Sequence, residues 1–377
     1  MKKGDAPRQR WLALWFAAMI LLTSATAAAA VKAQGGAADH PYQVFLSPRD
    51  QGDGRDNLIF VDLYNGEERR IALAGSGYTV TPSGVMFFDR STGRVKLATA
   101  DGGQIDHPFV QLPPTARRID WQISENSTLG PTIAWTITSG TDTELTTETW
   151  IADLEGSNPR RVFADGPRAG IRAYPIAFSL DGGSLYMDYQ PDTIGDITPL
   201  RQYAGLFAVD LTTGAAESLP GEPGCFCGAG FGGGWFVRLA LAAGGFDVRT
   251  FQLHSGGEVN EQRITALTLP EFNQGGGILV SPDGTQAVYV LASIAGLGQT
   301  QDQSMIVLVD LFNGRQSPAT PTLDGLYRPI GWESDDKILF TDRRGTGTWR
   351  FDLASGELKQ IAAGMVLGTM GYNSGHD

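Results

Sequence analysis

The chain has 377 residues, 42% of them hydrophobic and 19% charged, with 49 glycines and 20 prolines. That is ample material for a large core with many turns, and it excludes wholesale disorder. The formal net charge of -12, with no long run of Lys and Arg, excludes nucleic acid and anionic membrane surfaces as partners, because both require a basic face.

The first element is an export signal. Lys2, Lys3, Arg8 and Arg10 precede the apolar run from Trp11 to Leu22, and small residues follow through Ala33. This predicts a signal helix within residues 1–33, cleaved after Ala30 or Ala33. The alternative is an uncleaved anchor, since Trp11 to Val31 is long enough to span a bilayer. In both cases the remainder lies outside the cytoplasmic membrane, in the periplasm or beyond, and meets the membrane only through this segment.

From Tyr42 onward the chain repeats a two-part unit. One part is an apolar strand ending in a turn of the Ser-Pro-Asp-Gly kind: Thr81-Pro82-Ser83-Gly84, Ser124-Glu125-Asn126-Ser127, Ser179-Leu180-Asp181-Gly182, Ser281-Pro282-Asp283-Gly284 and a degraded Glu333-Ser334-Asp335-Asp336. The other is an apolar strand ending in Asp-Leu-x-x-Gly, at Asp62, Asp153, Asp210, Asp310 and Asp352, with weaker copies at Thr99–Gly103 and Gln252–Gly256. These seven occurrences recur at roughly 37 to 58 residues, the period of propellers and solenoids. Continuous apolar runs such as "TQAVYVLAS" suit inner strands covered on both faces, and half-polar runs such as "ELKQIAA" suit exposed edges. The fold class is therefore all-β: one domain over residues 42–372, a seven-bladed β-propeller of four-stranded antiparallel blades. Six blades is the alternative, because blades one, two and five are degenerate. The run "MVLGTMGY" (365–372) has no partner of its own and is expected to complete the first blade.

The segments "SPDG", "SLDGGSLYMDY" and "TWIADLEGSNPRRV" together resemble the TolB-type, WD40-like (PD40) repeat of bacterial propellers, over residues 42–372. The Trp-Asp and Gly-His signatures of eukaryotic WD40 repeats are absent. The resemblance implies an envelope interaction platform with no single reaction attached to it.

Loop lengths indicate where function resides. Turns between strands one and two, and three and four, are short and lie on one face. Longer segments gather on the other: 48–57, 139–148, 190–203 and 294–304 within blades, and 112–118, 165–174, 219–230 and 322–329 between them. Irregular loops on a rigid scaffold are the usual place for binding. In the inter-blade segments Arg117, Arg118, Arg168, Arg172 and Arg328, with Tyr327, form a candidate anion site, since guanidinium groups grip carboxylates and phosphates bidentately. Pairing with nearby Asp165 or Asp324 is the bland alternative. Asp50, Asp53 and Asp56 share one loop and are weak calcium candidates, without the spacing of a calcium loop; a solvated acidic loop is the simpler reading, and no cofactor is expected. Cys225 and Cys227, separated by one residue, are read as a local disulfide or as two inert thiols. Trp121, Phe178, Phe231 and Trp332 are read as packing between blades. No Gly-x-Ser-x-Gly, HExxH or P-loop is present, and none of the four histidines falls near the predicted mouth. The expected function is a monomeric, non-enzymatic scaffold binding a protein or an envelope polymer. The alternative is a hydrolase of glycans or lactones using carboxylates at the mouth.

Overall fold

The structure, a computed structural model, describes residues 40–371 apart from 49–53, 125–129, 193–199, 221–227, 243–244, 253–260, 266, 268, 270 and 296–299. These residues form seven antiparallel sheets, six of four strands and one of five. First strands of successive blades touch: Ala116–Ser124 meets Ile171–Phe178, Gly228–Gly232 meets Gln274–Val280, and Gln274–Val280 meets Tyr327–Ser334. That convergence on an axis makes a seven-bladed propeller. The ring closes as expected. Met365–Met370 pairs with Tyr42–Ser47 and becomes the innermost strand of blade 1, where it also touches the first strand of blade 2, Gly75–Thr81.

The repeat has a direct physical cause. In the Asp-Leu-x-x-Gly turn, the Asp side chain accepts the amides that follow it: Asp210 Oδ1 from Thr212 (2.8 Å) and Thr213 (2.7 Å), and Asp310 Oδ1 from Phe312 (2.9 Å) and Asn313 (3.0 Å). The Gly closes the turn at positive φ, as at Gly314 (71°) and Gly356 (70°), a region costly for residues with a Cβ. The Leu amide reaches the other turn of its own blade, Leu211 to Gly183 O (2.9 Å), Leu311 to Thr285 O (3.0 Å) and Leu353 to Asp336 O (2.8 Å). The two halves of the unit are thus hydrogen-bonded to each other. In the partner turn Ser281 Oγ donates to Asp283 Oδ1 (2.6 Å) and accepts the Gln286 amide (3.0 Å).

Between blades the core is apolar and continuous. Val44, Phe60, Val85 and Phe87 join blades 1 and 2; Val288, Ile306, Phe340 and Phe351 join blades 6 and 7. Phe231 stacks between Tyr186 of blade 4 (4.4 Å) and Phe236 of blade 5 (4.9 Å). Trp121 and Trp332 likewise pack into the interfaces beside them, and Phe178 packs on the core shared by blades 3 and 4.

Five segments read as loops, 112–118, 139–148, 165–174, 219–230 and 322–329, differ from expectation. Residues 139–148 are a hairpin whose strands, Thr132–Thr141 and Glu144–Asp153, run ten residues each. Arg168 ends the outermost strand of blade 3 (Arg160–Arg168), while Arg117 and Arg118 lie in the first strand of blade 3, Arg172 in that of blade 4, and Tyr327 and Arg328 in that of blade 7. Within 322–329, Leu323–Asp324 adds a short pairing to blade 6. Residues 228–230 belong to the innermost strand of blade 5, Gly228–Gly232. Glycine serves close approach there: a Cβ on Gly230 would stand 2.7 Å from Ile278 of blade 6.

Candidate functional site at the mouth of the ring

Starts of first strands and the hairpins between second and third strands share one face, and the charged residues collect there. Arg172 is 4% exposed. Its Nη1 donates to Asp120 Oδ2 at 2.6 Å, and its Nε lies 3.2 Å from Asp192 Oδ1 in an ion pair not aligned as a hydrogen bond. Arg117 reaches Asp142 (2.6 Å) and Asp192 (3.5 Å), and Arg118 reaches Asp120 (3.3 Å). Three arginines and three aspartates therefore clasp blade 3 to blade 4. Burial pushes the Arg172 guanidinium down, and Asp120 and Asp192 push it back. Arg168 is held by Asp165 and lies over the Tyr189 ring at 4.4 Å; its hydrogen bond to Asp165 raises its pKa. Of the five arginines singled out in the sequence, these four are paired with carboxylates.

Arg328 stands apart. Its Nη2 donates to the carbonyl of Arg343 (3.4 Å), and its Nε has no hydrogen-bond partner. Arg343 pairs with Asp302 (2.9 Å), while Arg344 beside it is exposed. Among the described residues neither Arg328 nor Arg344 pairs with a carboxylate, Asp324 included. Tyr327 packs edge-on against Trp349 (5.2 Å).

A second feature of the mouth is a strap, residues 200–205, which follows the second strand of blade 4 and reaches blade 6. The Gln190 side chain of blade 4 donates to Gln202 O (2.8 Å), and the Gln202 side chain donates to Gly275 O (3.1 Å) on the innermost strand of blade 6. Leu200 is buried with Val290, Ala292, Ile294 and Leu326. At the strap's other end, Asp188 accepts the amides of Gly205 (2.7 Å) and Ala204 (3.1 Å) and the Tyr174 hydroxyl (3.3 Å). The sequence marked 190–203 as a long loop of this face; nothing in its composition marked Asp188 or the insertion of Leu200.

The remaining candidates distribute as follows. Asp56 is buried, accepts from Tyr78 Oη (2.9 Å) and faces Arg90 (3.7 Å), so its carboxylate is engaged within blades 1 and 2. Asp50, Asp53, Cys225 and Cys227 lie outside the described residues, as does the export segment. Among the described residues no group of three or more metal-ligating side chains converges, and no helix is long and apolar enough to cross a membrane. His107 is buried and accepts the Val110 amide on Nδ1 (3.0 Å), a structural role between blades 2 and 3. A depression of about 360 Å³ lies on blade 3, lined by Ile137, Ser139, Thr146 and Glu148 among others.

No protein-family model and no curated protein matches the chain by sequence. Among solved structures it is similar to a prolyl endopeptidase (12% identity, TM-score 0.56, covering 86% of this chain and 50% of the other) and to puromycin hydrolase (13%, 0.56, 89% and 55%). TolB from Acinetobacter baumannii is a further match (13%, 0.45, 93% and 70%). The chain spans about half the length of the first two. At these identities the shared property is the fold, and the fold is a β-propeller.

Proposed function

We propose that this chain is an exported, non-enzymatic β-propeller that binds a partner protein at its mouth, with the Arg328–Arg344 patch engaging acidic groups of that partner. The observation carrying this reading is the division of charge at the mouth. Arg117, Arg118, Arg168 and Arg172 are already neutralised by carboxylates, whereas among the described residues Arg328 and Arg344 have no carboxylate partner, in a protein of net charge -12. A guanidinium at a rim steers and orients an acidic partner. Export rests on the composition of residues 1–33.

Hydrolysis is the second reading, because Asp120 and Asp192 converge on Arg172 and paired carboxylates are what glycoside hydrolysis uses. Both are committed to arginine. A general acid also needs a raised pKa within reach of substrate, and the described carboxylate that is pushed up, Asp188, is fully buried. Binding is the better supported function.

A photo-crosslinking residue placed in intact cells at Thr322, exposed in the link between blades 6 and 7, tests this against one at Phe312, exposed on the turn face. We expect an adduct from position 322 that is lost with Arg328→Glu/Arg344→Glu and weakened by salt. An adduct from position 312 alone, or one indifferent to the charge reversals, would contradict the assignment.

A further inference from the structure

Asp188 has no solvent exposure, yet it holds the foot of the strap. It lies on the second strand of blade 4, on the face turned to blade 5, as Tyr186 two residues earlier shows by stacking on Phe231. Its donors are the amides of Ala204 and Gly205 and the hydroxyl of Tyr174. The ionisable groups around it are Tyr174 on the first strand of blade 4, and Arg201 and Tyr203 on the strap, with Arg201 over the rings of both tyrosines (5.3 and 5.4 Å). From blade 5 come Arg238, Asp247 and Arg249, which share a sheet face with Phe236 and Phe251; those two rings pack with Tyr203 and Leu206. The far end of the strap is held by the Gln202 side chain, which donates to Gly275 O (3.1 Å) on blade 6, and by apolar packing. Leu200 is 1% exposed among Val290, Ala292, Ile294 and Leu326, and it lies so close that a Cβ on Gly276 would meet it at 3.0 Å. Those side chains form an aliphatic pocket at the mouth that the chain fills with its own leucine.

We propose that residues 200–205 are a pH-dependent strap, closed when the Asp188 carboxyl is protonated and released as it ionises, which withdraws Leu200 and uncovers the blade 6–7 pocket at the mouth. The sign follows from burial. In the closed strap, loss of water pushes Asp188 up to about 6, against the pull of the Gly205 and Ala204 amides, Tyr174 and Arg201. In the released strap the carboxyl regains water, and its pKa returns toward the ordinary 3.8. The closed form binds the proton more tightly, so closure is favoured as pH falls from about 6 toward 4 and disfavoured as it rises. Between pH 7 and pH 5 the closing equilibrium gains about tenfold.

Hydrogen exchange of the full chain, corrected for intrinsic rates, reads this at the Ala204 and Gly205 amides. Their protection should rise about tenfold from pH 7 to pH 5, while strand Gln303–Asp310 stays constant. Asp188→Asn should abolish the difference, and Leu200→Ala should lower protection at both pH values. Equal protection of the wild-type amides at the two pH values, retention of the pH effect in Asp188→Asn, or unchanged protection in Leu200→Ala would each overturn the proposal.

Discussion

At Gly356 and Gly314 the backbone takes nearly the same positive φ, 70° and 71°, but the surroundings differ. A Cβ on Gly356 meets nothing within 4 Å, whereas one on Gly314 meets Ile264 at 3.1 Å. Gly356→Ala should therefore cost about 1 kcal/mol, the left-handed strain alone. Gly314→Ala should cost roughly 2 kcal/mol, with packing added; denaturant midpoints measure both. His107 provides a pH signature. Burial lowers its pKa to about 4 from 6.5, so the unfolded chain binds the proton first, and stability is lost as pH falls from about 6.5 to about 4. His107→Asn keeps an acceptor for the Val110 amide and should remove that part of the slope in a stability–pH series. Turn residues of this kind were legible in the sequence, because Asp, Ser and Gly act on their own neighbours. His107 was not. The sequence shows only that it lies away from the predicted mouth, and its burial depends on Phe109, packed at 4.7 Å, and on the blade beyond.

Between elements, the junction of blades 3 and 4 depends on Arg172. Arg172→Ala leaves Asp120 and Asp192 facing each other without the buried cation, and should cost about 3 kcal/mol. Arg118→Ala removes a half-exposed pair and should cost less than about 1 kcal/mol. Thermal denaturation of the two variants side by side checks the contrast. The elements also explain which parts of the site were hidden. Polar, glycine-containing stretches such as 139–148 and 228–230 read as loops from composition, but tertiary context overrides it. Cross-strand threonines build the blade 3 hairpin, with Thr136 and Thr149 bonded at 2.8 Å. In blade 5 the absence of side chains lets two innermost strands approach. The arginines read as loop residues lie in strands, at the ends that face the mouth. Their carboxylate partners lie up to 75 residues away, as with Arg117 and Asp192, and the repeat pattern does not report such separations.

At the scale of the molecule, the two faces differ in construction. The turn face is built from aspartates that cap their own turns, with isolated apolar side chains such as Tyr64, Leu180 and Phe312 exposed upon it. The mouth carries the arginine clasp, the strap and the blade 7 patch. That division exists only in a closed ring, and closure rests on one strand. Met365–Met370 pairs with Tyr42–Leu46, the Gln43 side chain donates to Gly368 O (2.9 Å), and Thr348 Oγ1 both accepts the Val366 amide (2.8 Å) and donates to Gly364 O (2.7 Å), tying the same strand to blade 7. Met370 is buried with Val44 and Phe60. Thermal unfolding of a chain ending at Gly364 tests the sealed ring most directly. We predict a melting temperature lower by on the order of 10 °C, or loss of cooperative unfolding altogether; a melting temperature equal to that of the full chain would contradict the account.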